Sequence, residues 1–465
     1  MRRPHRIGRL GAALVLALVA SACVTGPITG PGAISLNTGF DLALVDYQRS
    51  EFFVDIIADS YSSAAPLAGD GIWTVEPDRE YQLARTRMVV HRPVDPADFN
   101  GTVVVEWLNV TAGADAPPDW LMGHNEIIRR GAAWIGVSAQ AVGVNNLRAQ
   151  NPARYGSLVH PGDSYSYDMF THAGHWARTN PDVLGGLVAE RVLAAGESQS
   201  ASRMVTYINA MHPRTHTYDG FLVHSRSGGG SALRQAPLES VPVPSPVQIR
   251  GDLDVPVMVV QAEGDVLGSY LAARQPDTAL FRSWEIAGTA HADAYTFPVG
   301  FSDIGDGSGA LQMFNLMRNP PGIGCASPIN TGPHYLVLQA ALAGLDDWVR
   351  TSTPPPSAPL LEFASTNPNV LARDALGNAL GGIRTPHVDV PIATLTGINS
   401  GAGFCRLFGS TTPLSTEQLT DLYPTHEDFV AAWSDSVDAT VAAGFFPAAE
   451  APYLIAAAEA STIPD

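Results

Sequence analysis

The sequence predicts an α/β protein: a mostly parallel central sheet flanked by helices, followed by a loop-rich C-terminal extension. Continuous apolar runs such as VVVEWLNV and VPVMVVQ read as strands buried on both faces, as in a parallel sheet covered by helices. These runs alternate with stretches of helical periodicity. A chain of 465 residues that is 45% hydrophobic and 15% charged can bury a large core, which excludes a disordered or fibrous protein.

In chain order, strands are expected at Arg87 to Val94, Thr102 to Val110, Ala132 to Ser138, Glu190 to Ala195, Gly220 to His224, Val255 to Gln261 and Trp284 to Ala287. Helices are expected near Asp119 to Arg130, Asp182 to Ala189, Ser200 to Met211 and Gly332 to Val349. After the last of these, TPPPSAP punctuates the chain. The main domain is therefore set at 36–350, and 351–465 is read as an extension packed on it, a candidate lid with helices near Thr416 to Leu422 and His426 to Ala443.

Four arginines, the apolar run Leu10 to Ala20 and the small residues before Cys23 form the three regions of an export signal over 1–22. Ala20-Ser21-Ala22 fits simple secretion. With Cys23 it also resembles a bacterial lipobox, which would lipidate that cysteine and attach the protein to a membrane. Cysteine parity favours lipidation: if Cys325 and Cys405 pair in an oxidising compartment, Cys23 is left over. The Gly/Pro-rich stretch 23–35 is read as a flexible tether.

All 27 basic residues are Arg, set against 45 acids for a formal charge of −18. Nucleic acid is excluded as a partner, because a polyanion needs a clustered basic surface. Without lysine, Schiff-base chemistry, a Walker A loop and a Ser-Lys dyad are excluded as well.

The chemistry concentrates at strand ends. Gly196-Glu197-Ser198-Gln199-Ser200 lies between a small-residue strand and a helical pattern, the context of a nucleophile elbow. Such a turn lifts the serine hydroxyl into the open and aims a helix N-terminus at a developing oxyanion. Serine needs a base, and the base needs an orienting carboxylate. The strand ending at Gln261 is followed by Glu263 and Asp265, and the next one by GTAHAD with His291. Asp265 is favoured as the acid, with Glu263 the alternative.

VEWLNV, the GxSQS elbow, the Q-x-E-x-D strand end and GTAHAD together resemble the α/β-hydrolase superfamily, in particular its secreted "α/β hydrolase domain" proteins, over most of 36–350. The resemblance implies an α/β-hydrolase fold with Ser198 as nucleophile, His291 as base and the strand-end carboxylate as acid. It also implies an oxyanion hole combining the Gln199 N–H with one from Asn109, Val110 or Thr111. The expected activity is exported serine-dependent cleavage of a small-molecule or lipid-like carboxylic ester, with no metal or organic cofactor. The alternatives are amide, peptide or lactone hydrolysis, acyl transfer, and a non-catalytic surface-binding lipoprotein.

Other features read more plainly. The aromatic segment at 164–178, with Tyr165, Tyr167, Phe170 and Trp176, could line a pocket, though core packing fits each residue better. His172 and His175 have helical metal spacing but no matched carboxylate cluster, and His224 reads as structural. Glu106, inside a buried strand, requires a partner, and an arginine is the expected one. SRSGGGS lacks the K-[ST] of a phosphate loop, and DIGDGSG lacks the bidentate Glu of a calcium loop.

Overall fold

A computed structural model describes residues 23–464, so the export-signal segment lies outside the described residues. Among the described residues, nine strands form one sheet: β1 (Cys23–Thr25), β2 (Tyr47–Ala58), β3 (Gln82–Pro93), β4 (Thr102–Trp107), β5 (Ala133–Val137), β6 (Arg191–Glu197), β7 (Gly220–His224), β8 (Val257–Ala262) and β9 (Phe281–Ile286). Their spatial order is β1-β2-β3-β5-β4-β6-β7-β8-β9. Pairing is antiparallel from β1 to β5 and parallel from β5 to β9. The parallel part is the buried part: every residue of β4, β5, β7, β8 and β9 is buried.

The principal helices are α1 (Pro118–Arg129), α2 (Ser166–Thr179), α3 (Gln199–Thr206), α4 (Ser308–Arg318), α5 (His334–Thr351), α6 (Thr416–Leu422), α7 (His426–Ala442) and α8 (Ala451–Glu459). Helix α1 packs along α5 so closely that a Cβ at Gly123 would collide with Leu342. No described helix is long and apolar enough to cross a membrane.

Several expectations are corrected. Residues 182–186 form turns and 187–189 are irregular instead of helical, because Gly185 and Gly186 both take positive φ (63° and 95°), where a right-handed helix cannot continue. The helix expected to run to Met211 stops being α-helical at Thr206 and continues as a π turn over Tyr207–Met211. Glu106 has no arginine partner among the described residues. Its carboxylate accepts the N–H groups of Asp119 (3.0 Å) and Trp120 (2.9 Å) at the start of α1, and the indole N–H of Trp134 (2.9 Å). Burial, followed by the charge of nearby Asp119, raises its pKa well above the usual range despite those bonds.

The stretch read as a tether lies against the body. Cys23–Thr25 pairs with β2, and Arg154 donates to the carbonyls of Gly32 (2.8 Å) and Ile28 (3.0 Å). The aromatic segment at 164–178 largely forms α2, whose Phe170 packs on Trp107, Tyr207 and Tyr218 in the core.

Candidate active site

Because β6 to β9 are mutually parallel, their C-terminal ends share one edge of the sheet, where the candidate residues converge. Ser198 follows β6 directly and takes φ 60°, ψ −114°, a strained conformation for a non-glycine residue. Its N–H donates to the carbonyl of His224 (2.9 Å), pinning the turn to β7. Close approach favours glycine at 196, since a Cβ there would stand 3.0 Å from the Ser200 carbonyl oxygen. Helix α3 begins at Gln199, so its N-terminus faces the serine.

Asp265 lies in a single helical turn after β8, and His291 in the loop after β9. His291 Nδ1–H donates to Asp265 Oδ1 at 2.6 Å, and His291 Nε2 lies 2.8 Å from Ser198 Oγ. The Ala262 N–H donates to the other Asp265 oxygen (2.8 Å). Burial opposes ionisation of Asp265, but the charge and hydrogen bond of His291 outweigh it and hold the carboxyl below its usual range. Burial likewise disfavours the charged form of His291. Asp265 and Glu197 overcome it and raise the imidazole well above its ordinary value.

Glu263 stands elsewhere. Its carboxylate accepts from Gly288 N–H (2.6 Å), Gly397 N–H (3.1 Å) and Arg373 (3.0 Å), and it makes no hydrogen bond to His291. Of the two carboxylates offered by the sequence, Asp265 is the one against the imidazole.

Among the three loop residues, the Asn109 N–H donates to the Ala116 carbonyl (2.9 Å) and the Thr111 N–H to Asn109 Oδ1 (2.8 Å). The Val110 N–H has no hydrogen-bond partner among the described residues, nor does that of Gln199. Asn109 instead braces the elbow, its Nδ2 donating to the Glu197 carbonyl and carboxylate (both 3.1 Å).

Glu197 is the residue that sequence reasoning missed. Its Oε1 lies 3.1 Å from His291 Nε2, so a second carboxylate faces the imidazole beside the serine. The signal was its position next to Ser198, but spacing alone does not show which way the side chain folds. His224 is buried between Asp119 (2.8 Å) and His334 (3.0 Å), and His334 in turn bonds the Ala290 carbonyl (2.9 Å), supporting the His291 loop from below.

A cavity of about 420 Å³ opens beside Ser198, with Asn109, Glu197 and His291 at its reactive end. The 164–178 segment does not contribute to its lining. Part of the wall comes from the C-terminal extension: Phe404, Leu407 and Phe408. That segment is clamped in place. The Ala292 N–H donates to Leu407 O (3.0 Å), the Asn330 N–H to Phe408 O (2.9 Å), and Cys325 and Cys405 form a disulfide.

One group among the described residues has the composition of a metal site. His212, His216 and Asp254 place their ligand atoms within 4.8 Å of one another before the start of β8, at the opposite edge of the sheet from Ser198. His172 lies 3.9 Å from Asp168 on its own helix.

Solved structures resemble this chain distantly. Two fungal esterases from Rhizomucor miehei are represented by a match of 10% identity that covers 67% of this chain and 88% of that chain, with TM-score 0.31. Esterase Est22 matches at 11% identity over 55% and 76% of the two chains (TM-score 0.31). A glucuronoyl esterase from Teredinibacter turnerae matches at 11% over 57% and 74% (TM-score 0.30). No curated protein sequence matches the chain. Residues 24–456, nearly all that the structure describes, match the family described as Alpha/beta hydrolase domain. With its sheet order and its strand-end serine, this protein belongs to the α/β hydrolase domain family.

Proposed function

We propose that the protein is an exported serine hydrolase that cleaves carboxylic esters through an acyl-serine intermediate. The observation that carries this reading is the hydrogen-bonded line Ser198 Oγ, His291 Nε2, His291 Nδ1, Asp265 Oδ1 at one end of an apolar cavity. His291 takes the Ser198 proton as Oγ attacks the ester carbonyl, and Asp265 fixes the tautomer and stabilises the imidazolium. The free N–H groups of Gln199 and Val110 hold the oxyanion. The imidazolium then protonates the leaving alcohol, and a water activated by the same imidazole releases the acid and regenerates the serine.

Export is supported by the Cys325–Cys405 disulfide, which persists in oxidising compartments. Lipidation of Cys23 is supported by its exposed, unpaired thiol.

A fluorophosphonate probe tests the reading directly. Wild type is expected to label, whereas Ser198→Ala does not label and loses about 10⁴-fold or more in ester turnover. An unlabelled wild type, or equal labelling of the variant, refutes it.

A further inference from the structure

We propose that the segment of the C-terminal extension carrying Phe404, Leu407 and Phe408 is the specificity wall of this site, and that it selects neutral esters bearing a compact apolar group. This rests on the serine-hydrolase reading and adds the substrate class to it.

The lining is largely apolar: its polar members are Asn109, Thr111, Glu197, Ser198, His291 and Thr296. Its apolar walls include Leu121 and Met122 from α1, Phe297 after the histidine loop, and the three residues of the extension. Phe297 meets Phe408 edge-on, with ring centroids 6.0 Å apart, joining the two halves of the wall. Among the described residues, no arginine lines the cavity, and Glu197 places a carboxylate beside the serine. An anionic substrate would meet repulsion from Glu197, with no arginine in the lining to offset it and His291 already facing two carboxylates. At about 30 Å³ for each small group, a volume of about 420 Å³ holds on the order of a dozen non-hydrogen atoms. A hexanoyl chain or a single aromatic ring fits within it, whereas a palmitoyl chain extends beyond it.

The wall keeps its position because three of the links between the extension and the body fall within its own segment. They are the Ala292 to Leu407 and Asn330 to Phe408 backbone bonds and the Cys325–Cys405 disulfide. A segment remote in sequence from Ser198 is thereby built into its pocket.

The test uses the full chain with p-nitrophenyl acetate, hexanoate and palmitate and the anionic monosuccinate ester. Each fully buried methylene is worth roughly fourfold, so the four that separate hexanoate from acetate set a ceiling of about 250-fold in kcat/KM, of which about tenfold or more is expected in a cavity open to solvent. The gain stops before palmitate, and the monosuccinate falls below acetate. Phe404→Ser changes a side chain that is 48% exposed, so the fold tolerates it. It is expected to lower the hexanoate-to-acetate ratio by about fivefold. Cys405→Ser, which unfastens the wall, lowers the same ratio. A flat chain-length profile, a preferred monosuccinate, or a ratio unchanged in both variants overturns the proposal. Serine labelling with none of these esters turned over overturns the substrate class alone. Absence of labelling overturns the hydrolase reading, and this proposal with it.

Discussion

His291 is held between two carboxylates, Asp265 at 2.6 Å on Nδ1 and Glu197 at 3.1 Å on Nε2, with His224 and His334 close beneath its loop. The imidazole must be neutral to accept the serine proton. Raising its pKa therefore removes the active form as pH falls, starting at a higher pH than for an ordinary histidine near 6.5. Glu197→Gln takes away one of the two charges, so the acid limb of the kcat/KM profile should move to lower pH. An unmoved limb would show that Glu197 does not govern the titration. Ser198, Asp265 and His291 were legible because each follows a strongly patterned strand. Glu197 was not, since its role depends on side-chain direction at the elbow. The unpartnered N–H of Val110 could not be told from those of its neighbours either, because the difference lies in which N–H groups the loop already uses.

At the level of elements, the parallel strands β4 to β9 were readable from their apolar runs, and β7 matches its expected span residue for residue. Strand β2 was hidden by its charges. Glu51 is fully buried there, facing Arg154 (2.6 Å) and Arg87 (3.5 Å), so a pattern search meets a charge where it needs an apolar residue. Glu263, directly after β8, is another buried charge, and the extension satisfies it, since its partners Arg373 and Gly397 lie more than a hundred residues away. Its expected role is to fasten residues 373 and 397 to the end of β8. Glu263→Ala should therefore cost about 2–3 kcal/mol of stability, less than a fully buried pair because Arg373 is partly exposed. It should also expose the extension to limited proteolysis. Asp265→Asn, by contrast, should cost about 10⁴-fold in turnover. If Glu263→Ala matched that loss while remaining stable, the two carboxylates would have to exchange roles.

The body and the extension share one hydrophobic core, in which Phe429, Trp433 and Leu454 join the residues of the central sheet. They should consequently unfold together. His387, in the extension, tests this. It is buried against Trp433 and Phe446, and burial pushes its pKa down to about 3. The unfolded chain binds that proton from about pH 6.5. Stability contributed by the neutral ring is therefore lost as pH falls from about 6.5 toward 3. Relative to His387→Phe, wild type should lose about 2 kcal/mol between pH 7 and pH 5 in urea unfolding followed by the fluorescence of the whole chain. If only probes in the extension respond, the two parts unfold separately.

The cavity is assembled from two stretches of chain that can change independently. The groups placed for chemistry lie at strand ends before residue 292, while part of the wall facing them comes from residues beyond 403. Substitutions in the later stretch can alter what fits without disturbing the strained serine turn. Descendants of such a gene could therefore drift among diets while keeping one reaction, and exchanging the tails of relatives would be a direct way to graft a new preference onto an unchanged centre.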